Sequence, residues 1–319
     1  MEVAEFILSE AFMTSLAVAT VRMAVPLLYV GMGELFAERS GVLNLGVEGI
    51  IQVGALAAFV AVFMTGDLWI GVLAGLGVGA VFGIIHAVTT VTIRTDQVVT
   101  GIAVWILGWG LASYLFRVTF PGFARVNIPL IDKINIPLLQ DIPILGPALF
   151  QNNIMVYIAF LLVPASAIVL FRTTIGLKIR TVGENPRVAD TLGVNVYRVR
   201  YMCIIYGAIL AALAGVYFSI AQMGMFVDNV SAGRGWIAIV VVMFGRWNPY
   251  RALLGALLFG GVDALQLRFQ ALGIGTATGL GFQFLVMLPY LLTVIVLILV
   301  AKRAGLPGAF TVPYVRGER

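Results

Sequence analysis

Polar side chains that could handle a solute recur at helical spacing inside otherwise apolar stretches. Asn44, Glu48 and Gln52 are four residues apart, and Asp263 and Gln266 interrupt a second apolar stretch. Residues four apart share one face of a helix, and an ionisable group at mid-depth in a membrane costs roughly 2.5–3.5 kcal/mol. Such groups therefore face protein or water, and we interpret these five as the lining of a polar path. Amides with few charges suit an uncharged, hydrogen-bonding solute such as a sugar or a nucleoside.

Arg22 is a further polar group in a costly position, near the middle of the first apolar stretch. A buried charge is expensive unless a counter-charge accompanies it. Arg22 is therefore a candidate for a structural ion pair with Glu48 or Asp263. In that alternative the charged residues hold the helices together and do not border the path.

Residues for catalysis are sparse. The sequence has one histidine, His86, and one cysteine, Cys203, each within an apolar stretch. It shows no nucleophile–histidine–acid set, no spacing typical of metal ligands and no phosphate loop of the form G-x-x-x-x-G-K-[ST]. We predict a protein that is not an enzyme and holds no metal or cofactor. If ATP drives a solute through it, the ATPase is a separate chain.

The elements that position these residues are membrane helices. The 319 residues are 61% hydrophobic and 11% charged, with a mean hydropathy of +1.04, and apolar runs near the ~20 residues needed to cross a bilayer recur throughout. We predict one all-α, polytopic membrane domain over residues 1–319, a helical bundle of about nine spans. The seventh span is too short to cross unaided and is predicted to be broken or re-entrant. The predicted spans are Phe12–Met32, Val42–Met64, Leu68–Thr90, Val98–Phe116, Ile154–Phe171, Tyr201–Ala221, Trp236–Phe244, Ala252–Leu267 and Phe282–Ala301.

The basic stretch from Arg172 to Arg200 sets the orientation. It holds six Lys and Arg residues against two acidic ones, and loops rich in Lys and Arg stay in the cytoplasm. We predict a cytoplasmic carboxy terminus and an amino terminus outside. Because residues 1–11 contain three glutamates and no Lys or Arg, we expect no cleavable signal peptide.

The same stretch contains signals for a short helix. Asn185 can cap it, Pro186 suits its first position, Arg187–Leu192 can continue it, and Gly193 can end it. About two turns of helix are not stable alone in water, so the helix must rest on its own protein or on a partner. The alternative is an ordinary solvated loop that stays inside because it is basic.

Two other stretches carry packing signals. Gly71, Gly75, Gly79 and Gly83 are each four residues apart, a pattern that lets another helix approach closely. The loop at 117–153 repeats an Ile-Pro-aliphatic unit, which denies it a regular helix. We interpret this loop as an extended cap on the outer face, the alternative being a poorly ordered connection.

Three long motifs resemble a known family. GELFAERSGVLNLGVEGIIQVGA (33–55), IGLKIRTVGENPRVADTLGVNV (175–196) and AGRGWIAIVVVMFGRWNPYRALLGALLFGG (232–261) are similar to permease subunits of ABC importers of the branched-chain amino acid and ribose type. The nearest branch is that for nucleosides or simple sugars, and DIPILGPALF (141–150) resembles its outer loop. The similarity covers nearly the whole chain.

The resemblance implies a multi-pass permease subunit in the cell membrane of a prokaryote. It implies three partners: a second permease that is a paralogous chain, a cytoplasmic ABC ATPase and an extracytoplasmic substrate-binding lipoprotein. It also implies that the loop at 172–200 is where the ATPase docks. The coupling residues would be Glu184, Asn185, Pro186, Arg187, Asp190 and Gly193.

The main alternative is an ion-coupled secondary transporter or channel for a small polar solute. Interrupted helices near 41–49 and 231–245 suit a site at the membrane midplane, and a carrier coupled to ions would depend on carboxylates such as Glu48 or Asp263. Uptake that stops on ATP depletion but survives collapse of the ion gradients would exclude this alternative. An intramembrane enzyme is a third class, without a catalytic constellation to support it.

Overall fold

Long apolar helices make up most of the chain. The computed structural model describes residues 9–121, 126–273, 282–301 and 305–317, so the ends of the chain and residues 122–125 of the loop at 117–153 lie outside the described part. The helices are α1 (Glu10–Arg39), α2 (Val47–Thr65), α3 (Leu68–Ala87), α4 (Gln97–Thr119), α5 (Ile154–Arg172), α6 (Thr174–Glu184), α7 (Pro186–Thr191), α8 (Val196–Val216), α9 (Arg234–Phe244), α10 (Pro249–Ala271) and α11 (Phe282–Ala301).

Short irregular elements complete the fold. π-helical turns continue α3 over Val88–Thr92 and α8 over Tyr217–Met223, and a third lies at Gly146–Phe150. Strands β1 (Lys133–Asn135) and β2 (Gln151–Asn153) pair antiparallel, with Lys133 opposite Asn153. The predicted all-α membrane bundle is confirmed: within the described ranges, seven helices are long and apolar enough to cross a membrane, and α9 and residues 283–298 of α11 are shorter apolar helices.

α8 lies at the centre of the bundle and packs against α1, α2 and α3. The four predicted packing glycines of α3 are all buried. A Cβ atom added at Gly79 would lie 2.6 Å from Ala212 Cβ and 2.9 Å from Ala208 O of α8. The glycine face therefore permits the close approach that its spacing predicts.

α9 is the short predicted seventh span, and it crosses only part of the membrane. Its 11 residues span about 16 Å at 1.5 Å per residue, roughly half of a ~30 Å hydrocarbon core. The loop of residues 224–233 leads from the end of α8 to its first residue, Arg234. The start of α9 therefore lies inside the bundle.

One predicted boundary needs correction. The second span was expected from Val42, but α2 begins at Val47, because hydrogen bonds hold the preceding residues in a turn. Leu43 N donates to Gln97 Oε1 at 2.8 Å, and His86 Nε2 lies 3.3 Å from Leu43 O. His86 therefore helps to hold this turn.

The basic stretch contains more helix than expected. α7 begins at Pro186, Asn185 Oδ1 accepts a hydrogen bond from Val188 N at 3.1 Å, and Gly193 has a φ of +80°, so the predicted cap and stop are confirmed. The preceding residues are not a loose loop, because they form the amphipathic helix α6. Its buried face includes Ile179 and Val182.

The segment before α5 packs on the end of α8. Ile128 N donates to Gly224 O at 2.8 Å, and Ile131 N donates to Ile220 O at 2.9 Å. Asn153 Nδ2 donates to Ala221 O at 3.1 Å. This ordered packing supports a cap over one end of the bundle.

The glycine face of α3 gives a matched pair of variants. Gly79→Val should lower the free energy of unfolding by about 1–3 kcal/mol, because the added atoms overpack a close helix contact. Gly77→Val is the control, because a Cβ at Gly77 meets no atom within 4 Å. The measurement is the thermal melting midpoint of the purified protein in detergent. Equal midpoints for the two variants would contradict the packing described.

Candidate functional site

The start of α9 is held by a carboxylate from α2. Glu48 Oε1 accepts hydrogen bonds from Ser231 Oγ at 2.7 Å and from Gly233 N at 2.6 Å, and Glu48 Oε2 accepts one from Gly235 N at 2.7 Å. The first N–H groups of a helix have no partner within it, and Gly233 has no side chain to cap α9. Glu48 supplies that cap and a negative charge at the positive end of the helix.

Gln52, one helical turn further along α2, fixes the preceding loop. Its Oε1 accepts a hydrogen bond from Val230 N at 3.1 Å. Its Nε2 donates to Val227 O at 3.3 Å and to Asp228 Oδ1 at 3.4 Å. Two side chains of the predicted polar face thus fix most of the loop from Val227 to Gly235.

Asp263 of α10 reaches the same segment from another direction. Its Oδ2 accepts hydrogen bonds from Arg234 Nε at 2.9 Å and Arg234 Nη2 at 2.7 Å, and both side chains are largely buried. Gln266 is buried three residues further along α10. The structure therefore brings Glu48, Gln52 and Asp263 together around one loop.

Arg22 does not form the expected ion pair. Among the described residues its side chain pairs with neither carboxylate, because Glu48 accepts three hydrogen bonds and Asp263 binds Arg234. Arg22 instead borders a cavity of about 190 Å³ shared with Lys133 and Gln222. The expected pairing of Arg22 is thus wrong, because Arg234 already occupies Asp263 and the start of α9 already occupies Glu48.

Asn44 lies in the turn before α2 and not on its helical face. Its Oδ1 accepts a hydrogen bond from Gly46 N at 3.0 Å, and the side chain is fully buried. The turn does not become helical, because side chains of α3 and α4 form hydrogen bonds with its backbone. Asn44 therefore supports the wall of the bundle in this conformation.

Sequence reasoning missed an aromatic cluster beside Glu48. Trp105 and Trp109 of α4 and Trp236 of α9 border a cavity of about 190 Å³ together with Glu48 and Asn229. A second cavity of about 280 Å³ shares Trp109 and continues along α4 to Ser113 and Arg117. The sequence does contain one sign of this cluster, because four residues at four-residue spacing share one face of α4: Trp105, Trp109, Ser113 and Arg117.

The candidate coupling residues surround α7. Val188 and Leu192 are 47% and 73% exposed, so the short helix presents an apolar edge to solvent beside exposed Arg187. Asp190 is not free to attract a partner, because its Oδ2 accepts a hydrogen bond from Arg316 Nε at 3.0 Å. Glu184 Oε2 likewise accepts one from Gly308 N at 3.1 Å.

The segment of residues 305–317, here called the carboxy-terminal segment, braces α6 and α7. Ala309 N donates to Gly183 O at 2.8 Å, and Arg200 Nη1 donates to Val312 O at 3.0 Å. Tyr314 packs with Val182 and Ala189. Its burial and the neighbouring carboxylate of Asp190 raise the pKa of Tyr314.

A second set of contacts joins this region to α9. Gly183 lies against the end of α1, where an added Cβ would be 2.0 Å from Arg39 O. Arg39 Nη2 donates to Trp247 O at 3.2 Å, and Trp247 Nε1 donates to Glu38 Oε2 at 2.6 Å. Trp247 is buried in the turn after α9, so α6 is connected to α9 through the end of α1.

The cap on α9 can be tested with Glu48→Gln. An amide keeps one acceptor but loses the second and the charge, which leaves a buried N–H unpaired at a cost of about 1–3 kcal/mol. We expect solute uptake to fall at least about tenfold, the equivalent of 1.4 kcal/mol, while the protein still inserts. Glu10→Gln, at an exposed position in the first turn of α1, is the control. Unchanged uptake by Glu48→Gln would contradict the role of the cap.

Comparisons with known proteins agree with these features. The chain matches the family described as "Branched-chain amino acid transport system / permease component" over residues 16–301. It is 39% identical over 268 residues to the "Putative glucose ABC transporter permease protein TsgC13" of Haloferax volcanii, covering 83% of this chain and 80% of the relative. It is 35% identical over 302 residues to the nucleoside ABC transporter permease protein NupC of Lactococcus lactis, covering 92% and 94%. The guanosine ABC transporter permease protein NupQ of Bacillus subtilis is 35% identical over 314 residues, covering 94% and 96%.

Two of these organisms each have a second permease that is similar to this chain. They are TsgB13 of Haloferax volcanii, at 27% identity, and NupB of Lactococcus lactis, at 24%. No solved structure matches the chain. The family match covers most of the sequence and two relatives cover more than nine-tenths of it, so the chain belongs to the permease family of the branched-chain amino acid transport system, as a multi-pass transport subunit.

Proposed function

We propose that this chain forms part of the membrane path of an ATP-driven importer for a nucleoside or a simple sugar. The observation that carries the proposal is the half-crossing helix α9, whose start is capped by Glu48 and lies beside a partly open cavity. A helix end inside a membrane protein is a usual place for a solute site. The names of the relatives, two of them nucleoside permeases and one a glucose permease, support this range of solutes.

The path residues then have two kinds of role. Glu48 borders the cavity, and Asn44, Gln52, Asp263 and Gln266 support its wall from behind. Both carboxylates are occupied, Glu48 by α9 and the loop and Asp263 by Arg234. A cavity wall whose charges are already compensated suits an uncharged solute better than an ion.

Three partners complete the importer. Matching permeases occur in pairs in two organisms, which supports a second, paralogous permease beside this chain. The chain has no phosphate loop, so a cytoplasmic ABC ATPase must supply the energy. An extracytoplasmic substrate-binding lipoprotein delivers the solute, as expected for an ABC importer.

The orientation and the coupling contact follow from the basic stretch. The chain lies in the cell membrane of a prokaryote, with its amino terminus outside and its carboxy terminus in the cytoplasm. The ATPase docks on α7 and its flanks, where Arg187 is exposed to a partner. The other coupling residues hold the shape of this region: Glu184, Asn185, Pro186, Asp190 and Gly193. The exposed edge formed by Val188 and Leu192 supplies an apolar anchor of the kind that dominates binding at interfaces.

Energy coupling distinguishes this function from an ion-coupled carrier. In vesicles that contain the assembled importer, uptake should stop when ATP is depleted and should continue when ionophores collapse the proton and sodium gradients. A panel of nucleosides and simple sugars, added with the binding protein, should contain at least one member that stimulates ATP hydrolysis. Uptake that follows an ion gradient without ATP would overturn the proposal.

The docking edge is tested by placing a charge on it. Leu192→Asp should reduce ATPase association at least about tenfold, because a buried apolar anchor commonly contributes more than 1–2 kcal/mol. Leu138→Asp is the matched control, because Leu138 is 86% exposed in the loop assigned to the opposite side. Pull-down of the ATPase with each purified variant gives the result. Normal association of Leu192→Asp would place the contact elsewhere.

A further inference from the structure

We infer that Trp105, Trp109 and Trp236 form a stacking site for the planar heterocyclic base of a nucleoside. This inference rests on the proposed function and selects one of its two solute classes. The three rings border one cavity at the start of α9. Their arrangement, their anchoring and the groups beside them favour a flat aromatic ligand.

The rings form an open aromatic wall. The Trp105 and Trp236 ring centroids are 5.4 Å apart with the ring planes at 85°, an edge-to-face contact. Trp109 lies one turn from Trp105 on α4 and is 42% exposed, and Trp236 is 36% exposed. Large aromatic surface thus remains uncovered beside a cavity that is partly open.

The ring of Trp109 is held in place by polar contacts. Its Nε1 donates to Asp228 Oδ1 at 3.1 Å. The same oxygen accepts a hydrogen bond from Ser113 Oγ at 2.6 Å, and Asp228 Oδ2 lies 3.7 Å from Arg117 Nη2. Since Gln52 also contacts Asp228, the orientation of the ring is fixed before any ligand arrives, which reduces the entropy cost of binding.

The surroundings show that this surface does not face lipid. Asp228 and Arg117 retain 42% and 77% exposure of their side chains, and they continue the same strip of α4 and the neighbouring loop. Exposed charges along a membrane helix face water or another protein and not hydrocarbon. The tryptophans of the same strip therefore belong to a polar route and not to the lipid boundary.

The polar groups left on the wall fit a base better than a sugar. Glu48 and Asp228 are committed to protein donors. Among the described residues that border the cavity, the free side-chain polar groups are the amide of Asn229 and the indole N–H groups of Trp105 and Trp236. A sugar presents hydroxyl groups on most sides, whereas a base presents two apolar faces for stacking and one edge that an amide can recognise.

The test uses the whole importer, reconstituted with its second permease, ATPase and binding protein. Guanosine, adenosine and uridine are compared with ribose and glucose as solutes, at concentrations below half-saturation of the wild-type importer, for uptake rate and stimulated ATP hydrolysis. Trp236→Leu removes the ring, and Trp236→Phe keeps a smaller one. Trp69→Leu is the matched control, because Trp69 is 59% exposed at the start of α3 and away from the cavity.

We expect Trp236→Leu to lower nucleoside uptake roughly ten- to hundredfold, the range that loss of one stacking contact produces. Trp236→Phe should recover most of the rate, and Trp69→Leu should behave as wild type. Trp109→Leu should show the same loss as Trp236→Leu. Co-purification of the second permease and the ATPase with each variant establishes that the complex has assembled.

Three results would overturn the inference. Uptake of simple sugars without nucleosides would refute the base site and leave the proposed importer standing. Loss of the second permease from the Leu variants would show that the tryptophans form a subunit interface. Equal uptake by Trp236→Leu and Trp69→Leu would show that the rings do not contact the solute. Failure of every solute to stimulate ATP hydrolysis would instead count against the proposed function itself.

Discussion

A carboxylate that satisfies a helix end inside the bundle is the interaction on which the rest of this structure depends. Without water, the free N–H groups at the start of α9 need a protein partner, since each unsatisfied group in hydrocarbon costs several kcal/mol. Glu48 provides it, with donors at 2.6 and 2.7 Å. Once the start of α9 is fixed, the loop before it can present Asp228 and Asn229, and Trp236 can face α4. The cap therefore connects membrane energetics to the shape of the cavity.

The opposite end of α9 connects the cavity to the ATPase side. α7 is a short helix that could not hold its shape alone, but α6 and the carboxy-terminal segment support it through Gly183 and Glu184. From there, Arg39 and Trp247 link α6 to the turn after α9. A displacement of α7 would thus reach α9 through buried, close-packed contacts, and packed interiors transmit displacement because they have few alternative arrangements.

Sequence patterns reveal the helices and their packing better than the contacts of the site. Hydrophobic length locates the nine apolar helices of the described ranges, including the short α9. Asn185, Pro186 and Gly193 mark α7 because caps and stops are local. The partners of Asp190 and Asp263 are distant in sequence, and no local pattern specifies Arg316 or Arg234. The tryptophan cluster joins α4 to α9, so spacing along α4 shows only half of it. α6 was missed because its basic residues concealed an amphipathic helix.

The sequence separation between Glu48 and its donors has a consequence for biogenesis. The carboxylate precedes Ser231 by 183 residues and Gly235 by 187. At ribosomal rates of about 5–20 residues per second, roughly 10 to 40 seconds pass before those donors are synthesised. A bare carboxylate cannot remain in hydrocarbon for that time, so it must keep its hydration or a temporary polar partner near the translocon. The final burial of α2 is therefore a late event in assembly, completed when α9 arrives.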